Sequence, residues 1–120
     1  MADVVVTVPK GLWFDWIAEG DAVGEPETGE EWGFFLGAAQ GVPDIKPGER
    51  VYIVAHGRLR GYAPLTRLQA RPLALGRQGG AVAVTIPEAV TGFRGWRYRW
   101  WDRNIEVPFP DWRTAGVPRD

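Results

Sequence analysis

The sequence predicts an α+β protein that is mostly β, a small mixed barrel-like sheet with one or two short helices. Three observations lead there. Glycine and proline supply 16 and 10 of the 120 residues, and so many turn-formers imply short elements and frequent reversals. Only one segment, Gly11 to Gly20, carries a helical period, whereas the other apolar runs are β-branched or alternating. A length of 120 residues also suits a single domain, residues 1–120, with its own core.

The elements follow in order. Val4 to Val8 is almost wholly valine and reads as a strand buried on both faces, ended by Pro9 and Gly11. In "GLWFDWIAEG" the residues Leu12, Trp13, Trp16 and Ile17 share a helical face, and Gly20 offers a stop. "DAVGEPETGEE" is an acidic, turn-rich loop without EF-hand spacing or a paired-carboxylate pattern. "EWGFFLG" alternates, with Trp32, Phe34 and Leu36 on one side, as a strand does. "QGVPDIKPGER" reads as a loop. Val51 to Ala55 and Leu59 to Leu65 are two strands joined at His56-Gly57-Arg58, a hairpin, and Gly61 predicts a bend in the second. "QARPLALGRQGG" reads as a loop with short structure around Leu73 to Leu75, and Ala81 to Ile86 as a strand stopped by Pro87. From about residue 107, "VPFPDWRTAGVPRD" is an extended tail.

Composition narrows the chemistry. There is no cysteine, which excludes disulfides and a thiol nucleophile, and with a single histidine a Cys/His zinc site is excluded as well. The chain has no serine, so His56 has no serine or cysteine to activate and reads as a solvated turn residue. "GRQGG" lacks the Lys-Thr/Ser of a phosphate-binding loop. No cofactor or metal is expected. The run Val4 to Val8 is too short for a signal peptide or a membrane span, so a cytoplasmic protein without a membrane partner is expected.

The net charge of −1 conceals an asymmetry. Residues 1–50 carry three basic side chains against ten acids; residues 51–120 carry eleven arginines against five acids. Arginine presents a planar fork to phosphates and stacks on flat rings. The densest cluster is "GFRGWRYRWWDR", Gly92 to Arg103. Taken as a strand from Phe93, period two puts Trp96, Tyr98 and Trp100 on one face, as core, and Arg97, Arg99, Trp101 and Arg103 on the other. That second face could hold a phosphate backbone and stack a base on Trp101. Arg58 and Arg60 in "HGRLRG" would extend it if they share its side, and Lys10 and Trp13 could wall a pocket beside the helix.

The run "KPGERVYIVAHGRLRGYAPL" resembles the PUA-like superfamily, in particular its ASCH and EVE branches, whose "PGDxVYI…GxIxGxA" forms two adjacent strands. The matching residues are Pro47, Gly48, Arg50, Val51, Tyr52, Ile53, Gly57, Leu59, Gly61 and Ala63. The resemblance covers about residues 4–103. It implies a mixed pseudo-barrel closed by one or two helices, and binding of RNA or of a modified base or nucleotide in a cleft beside the first helix. Some ASCH proteins resemble small amidohydrolases acting on acylated nucleosides. Where ASCH domains often carry "GxKxxExR", this chain has "VPKGLWFDWIAEG", so no catalytic residue is carried over.

Three functions are therefore open: a non-catalytic nucleic-acid-binding module, a small nucleoside- or nucleotide-processing hydrolase using Lys10, Asp15 or a threonine, and a protein–protein adaptor. The first is favoured. A near-neutral chain cannot neutralise many phosphates, which restricts the ligand to a loop, an end or one modified nucleotide.

Overall fold

The computed structural model describes residues 3–18, 31–35, 41–70, 73–79, 81–91 and 95–109. Its centre is β1 (Val4–Thr7), parallel to β3 (Arg50–Ala55) with Val4 opposite Val51. A parallel pair needs a crossover, and α1 (Lys10–Ala18) lies within it. The helix starts immediately after Pro9, whose carbonyl accepts the Trp13 amide at 2.9 Å.

β3 turns into β4 (Arg58–Ala70) through His56 and Gly57, with φ of 52° and 73°. Positive φ at both central residues gives a two-residue reversal whose twist matches the flanking strands. Arg58, placed in the turn by the sequence reading, instead begins β4 opposite Ala55. The bend expected at Gly61 is a register shift: Val54 faces Leu59 and Ile53 faces Gly61, which leaves Arg60 with no opposite residue. Such a bulge re-aims its side chain.

β4 then pairs with β5 (Leu73–Gln78), and β5 with β2 (Glu31–Phe35), both antiparallel. The β5 segment was read mostly as a loop. Gly76 and Arg77 break the apolar alternation, and pairing with two neighbours makes it a strand nonetheless. On the other side β1 pairs with β7 (Trp96–Tyr98), which completes a six-stranded sheet in the order β2-β5-β4-β3-β1-β7. The described strands β2 and β7 are its two edges and do not pair, so the sheet is open.

Two short strands, β6 (Val84–Thr85) and β8 (Val107–Pro108), pair separately, and Val82 bridges to Tyr62. The strands expected over 81–86 and 93–103 are thus reduced to β6 and β7 among the described residues. The tail expected from 107 opens with β8; residues 110–120 lie outside the described set, as do the 21–30 loop, Gly20, Leu36 and Phe93. Trp16, Ile17, Trp32 and Phe34 have described backbones only.

Both faces of the central strands are covered. Val4, Val6, Val51 and Ile53 join Trp13, Leu65 and Leu75 in one core. Val5, Tyr52, Val54 and Leu59 join Ile86, Val90 and Trp101 in the other. This is why Val4 to Val6 read as an uninterrupted apolar run, and each such side chain contributes about 1.5–3 kcal/mol by burial. The described residues are mostly β with one α-helix, and no helix among them is long and apolar enough to cross a membrane.

Candidate functional site: a buried arginine between two rings

The structure divides the arginines and tryptophans singled out from the sequence into three groups. Arg99 and Arg103 converge on Asp3. The Asp3 side chain is 4% exposed and accepts from Arg99 Nε at 3.0 Å and Arg103 Nη2 at 2.7 Å, and the Arg50 amide adds a bond at 3.3 Å. Burial pushes the Asp3 carboxyl up, but the bonds from Arg103 and Arg99 outweigh it and leave the carboxyl below the ordinary range. Arg99 also donates to the Trp101 carbonyl. These two cations are engaged in holding the segment after β7 onto the start of β1.

Trp101 is buried, where the sequence reading left it exposed for stacking. The strand ends at Tyr98, so period two no longer applies, and the chain turns the Trp101 indole into the second core against Tyr52, with ring centroids 5.2 Å apart. Its Nε1 donates to Glu106 at 2.9 Å. The Tyr52 hydroxyl donates to Glu106 at 2.6 Å and accepts from Arg50 at 2.9 Å. Conversely Tyr98 and Trp100, expected as core, are 45% and 44% exposed, and Trp96 is half-buried. Arg97 is exposed and stands over the Trp100 ring at 4.5 Å.

The third group is the candidate site. The β4 bulge drives Arg60 inward until its side chain is fully buried. Its guanidinium lies 5.6 Å from the Trp13 ring on α1 and 5.4 Å from the Phe109 ring just past β8. Nε donates to the Ala55 carbonyl at 3.1 Å, but Nη1 and Nη2 have no hydrogen-bond partner among the described residues. Arg58, two residues earlier, also faces Phe109, at 6.0 Å, and its buried Nε is likewise without a partner among the described residues. Burial and the Arg58 charge lower Arg60 to about 10, still charged at neutral pH. At the hairpin tip the His56 ring meets the exposed Phe14 edge-on at 5.5 Å.

Neither the sequence nor the fold matches a family model, a curated protein or a solved structure. The chemistry of the site must therefore speak for itself.

A buried guanidinium ordinarily sits against a carboxylate, because desolvating a lone cation costs several kcal/mol. Arg60 has two aromatic faces instead, which return only part of that cost. Its free N–H groups suit an oxyanion or a base edge. Of the expected site residues, Arg58, Arg60 and Trp13 come together; Arg97 lies on β7, and Arg99, Trp101 and Arg103 belong to the Asp3 and Glu106 network. Lys10 begins α1, and its side chain lies outside the described set. Phe109 was missed. It sits in the segment read as a tail, and no local pattern ties it to Arg60. Among the described residues no group of three or more acidic or histidine side chains could hold a metal ion.

Proposed function

We propose that the protein is a non-catalytic binding module for nucleic acid, taking a short piece of RNA or a single modified nucleotide, on a PUA-like sheet of the ASCH or EVE kind. The observation that carries this reading is Arg60, a fully buried cation between two rings with two nitrogens that have no partner among the described residues. Arginine with flanking aromatics is the combination that single-stranded nucleic acids use, phosphate on the fork and base on the ring. The near-neutral net charge agrees with a small, local ligand. The hydrolase reading is weaker: the Asp15 side chain is exposed.

A second reading has its own support. The exposed Tyr98, Trp100 and Arg97 on one edge are residue types that dominate protein–protein hot spots, which suits an adaptor. Tryptophan-fluorescence titration with short RNA and single-stranded DNA at two salt concentrations separates the two. The binding module predicts salt-sensitive quenching that weakens about ten-fold in Arg58→Ala. No quenching at low salt removes it.

A further inference from the structure

We propose that Arg58 and Arg60 receive a terminal phosphate monoester, the phosphorylated end of an RNA chain or the phosphate of a free nucleotide, after Phe109 swings aside. The inference rests on the binding-module reading and narrows it to one chemical group.

Three features lead to this class. Arg58 and Arg60 are two like charges close enough for one to disfavour the other, and among the described residues no carboxylate forms an ion pair with either. An anion shared between them relieves both, and a dianion does so better than the monoanionic diester of an internal linkage. The guanidinium is fully buried beside its two rings rather than exposed along a groove. A chain end can project into such a place; a continuous backbone would have to enter and leave. Finally, the fork of Nη1 and Nη2 offers parallel donors that match two oxygens of one phosphate.

Phe109 is the wall with the weakest hold. Trp13 is fully buried in the first core on α1. Phe109 is only half-buried, and β8 before it has just the pairs Val84–Pro108 and Thr85–Val107, followed by the Phe109 amide bond to Ala83. Little must break to move it, and it is the ring that both Arg60 and Arg58 face.

The test compares one short RNA carrying a 5′-phosphate, a 3′-phosphate or hydroxyls at both ends, together with a nucleoside monophosphate and inorganic phosphate, on the full chain. One phosphorylated end is expected to bind at least about ten-fold more tightly than the hydroxyl form. Arg60→Met and Arg58→Ala each abolish that difference, and Arg60→Lys recovers only part of it because the fork is gone. Tight binding of the monophosphate without any RNA binding supports the phosphate site with a free nucleotide as its source. Equal binding of phosphorylated and hydroxyl RNA overturns the inference but leaves the nucleic-acid reading standing. Absence of binding to every probe overturns both. Phe109→Ala is expected to speed association several-fold; an unchanged rate overturns its role as the cover.

Discussion

Replacing Arg60 by methionine is expected to stabilise the protein in the absence of ligand. The depression of Arg60 to about 10 corresponds to roughly 3 kcal/mol against carrying the charge at neutral pH. Against this stand the bond to the Ala55 carbonyl, about 1 kcal/mol, and the two ring contacts at 5.6 and 5.4 Å, together about 1 kcal/mol. Methionine fills a similar space without a charge. The variant should therefore gain about 1 kcal/mol, or roughly 4 °C in Tm. The pH dependence has a definite sign. Arg60 binds its proton more weakly folded than unfolded, so the unfolded chain holds more protons above the folded pKa. The destabilisation is thus constant below about 10 and is relieved as pH rises through it. Urea unfolding followed by tryptophan fluorescence, at neutral pH and in steps across that range, should show Arg60→Met more stable at pH 7 and the parent catching up at high pH. A methionine variant that loses 1 kcal/mol or more would refute the argument, because it would mean that the guanidinium is well compensated where it lies.

Other expectations follow from the same contacts. Asp3→Asn removes the negative charge that Arg99 and Arg103 share and replaces one accepting oxygen by a donor; both arginines are partly exposed, so the loss is roughly 2 kcal/mol at neutral pH. Because the folded carboxyl titrates below its ordinary range, that stability is present above about pH 4 and fades as pH falls, and the unfolding curves of parent and variant should converge in acid. Tyr52→Phe deprives the Glu106 carboxylate, 8% exposed, of its shortest donor and should cost about 1–2 kcal/mol in urea unfolding. Burial, followed by the bond to Glu106, pushes the Tyr52 hydroxyl up, so it stays a donor throughout that measurement. Gly57→Ala forces a Cβ onto a backbone with φ of 73° and brings it 3.4 Å from the Thr91 methyl; a loss of about 1–2 kcal/mol in thermal unfolding is expected.

The sequence was most readable where one local force dominates. Val4 to Val6 had to be covered on both faces, and they are. The hairpin at His56-Gly57 followed from a glycine where φ is positive. Reading failed where a distant partner decides. Around Leu73 to Leu75 only short structure was legible, and the full β5 exists because β4 and β2 flank it. In "WRYRWWDR" alternation put Trp96 and Tyr98 in the core, but β7 is an edge strand where Trp96 is half-buried and Tyr98 exposed; beyond Tyr98, Asp3 and Glu106 hold Arg99 and Trp101, Asp3 lying 96 residues from Arg99. At the candidate site, Arg58, Arg60 and Trp13 were visible as residue types. Their meeting was not, because a one-residue bulge has no signature beyond the neighbouring glycine.

The placement of β1 has a consequence for how the chain acquires its shape. Its four residues lie between β3 and β7, so a nascent chain makes Val4–Thr7 before β3 and completes their pairing only with β7. Until residues 96–98 arrive, one side of a valine-rich strand has open backbone donors and acceptors, and Asp3 lacks Arg99 and Arg103. Contacts of such long sequence separation form slowly, and an uncovered edge of this kind recruits other chains. A chain truncated before Trp96 would lose β7, the buried Trp101 and β8 together, would leave one edge of β1 unpaired, and should aggregate rather than fold.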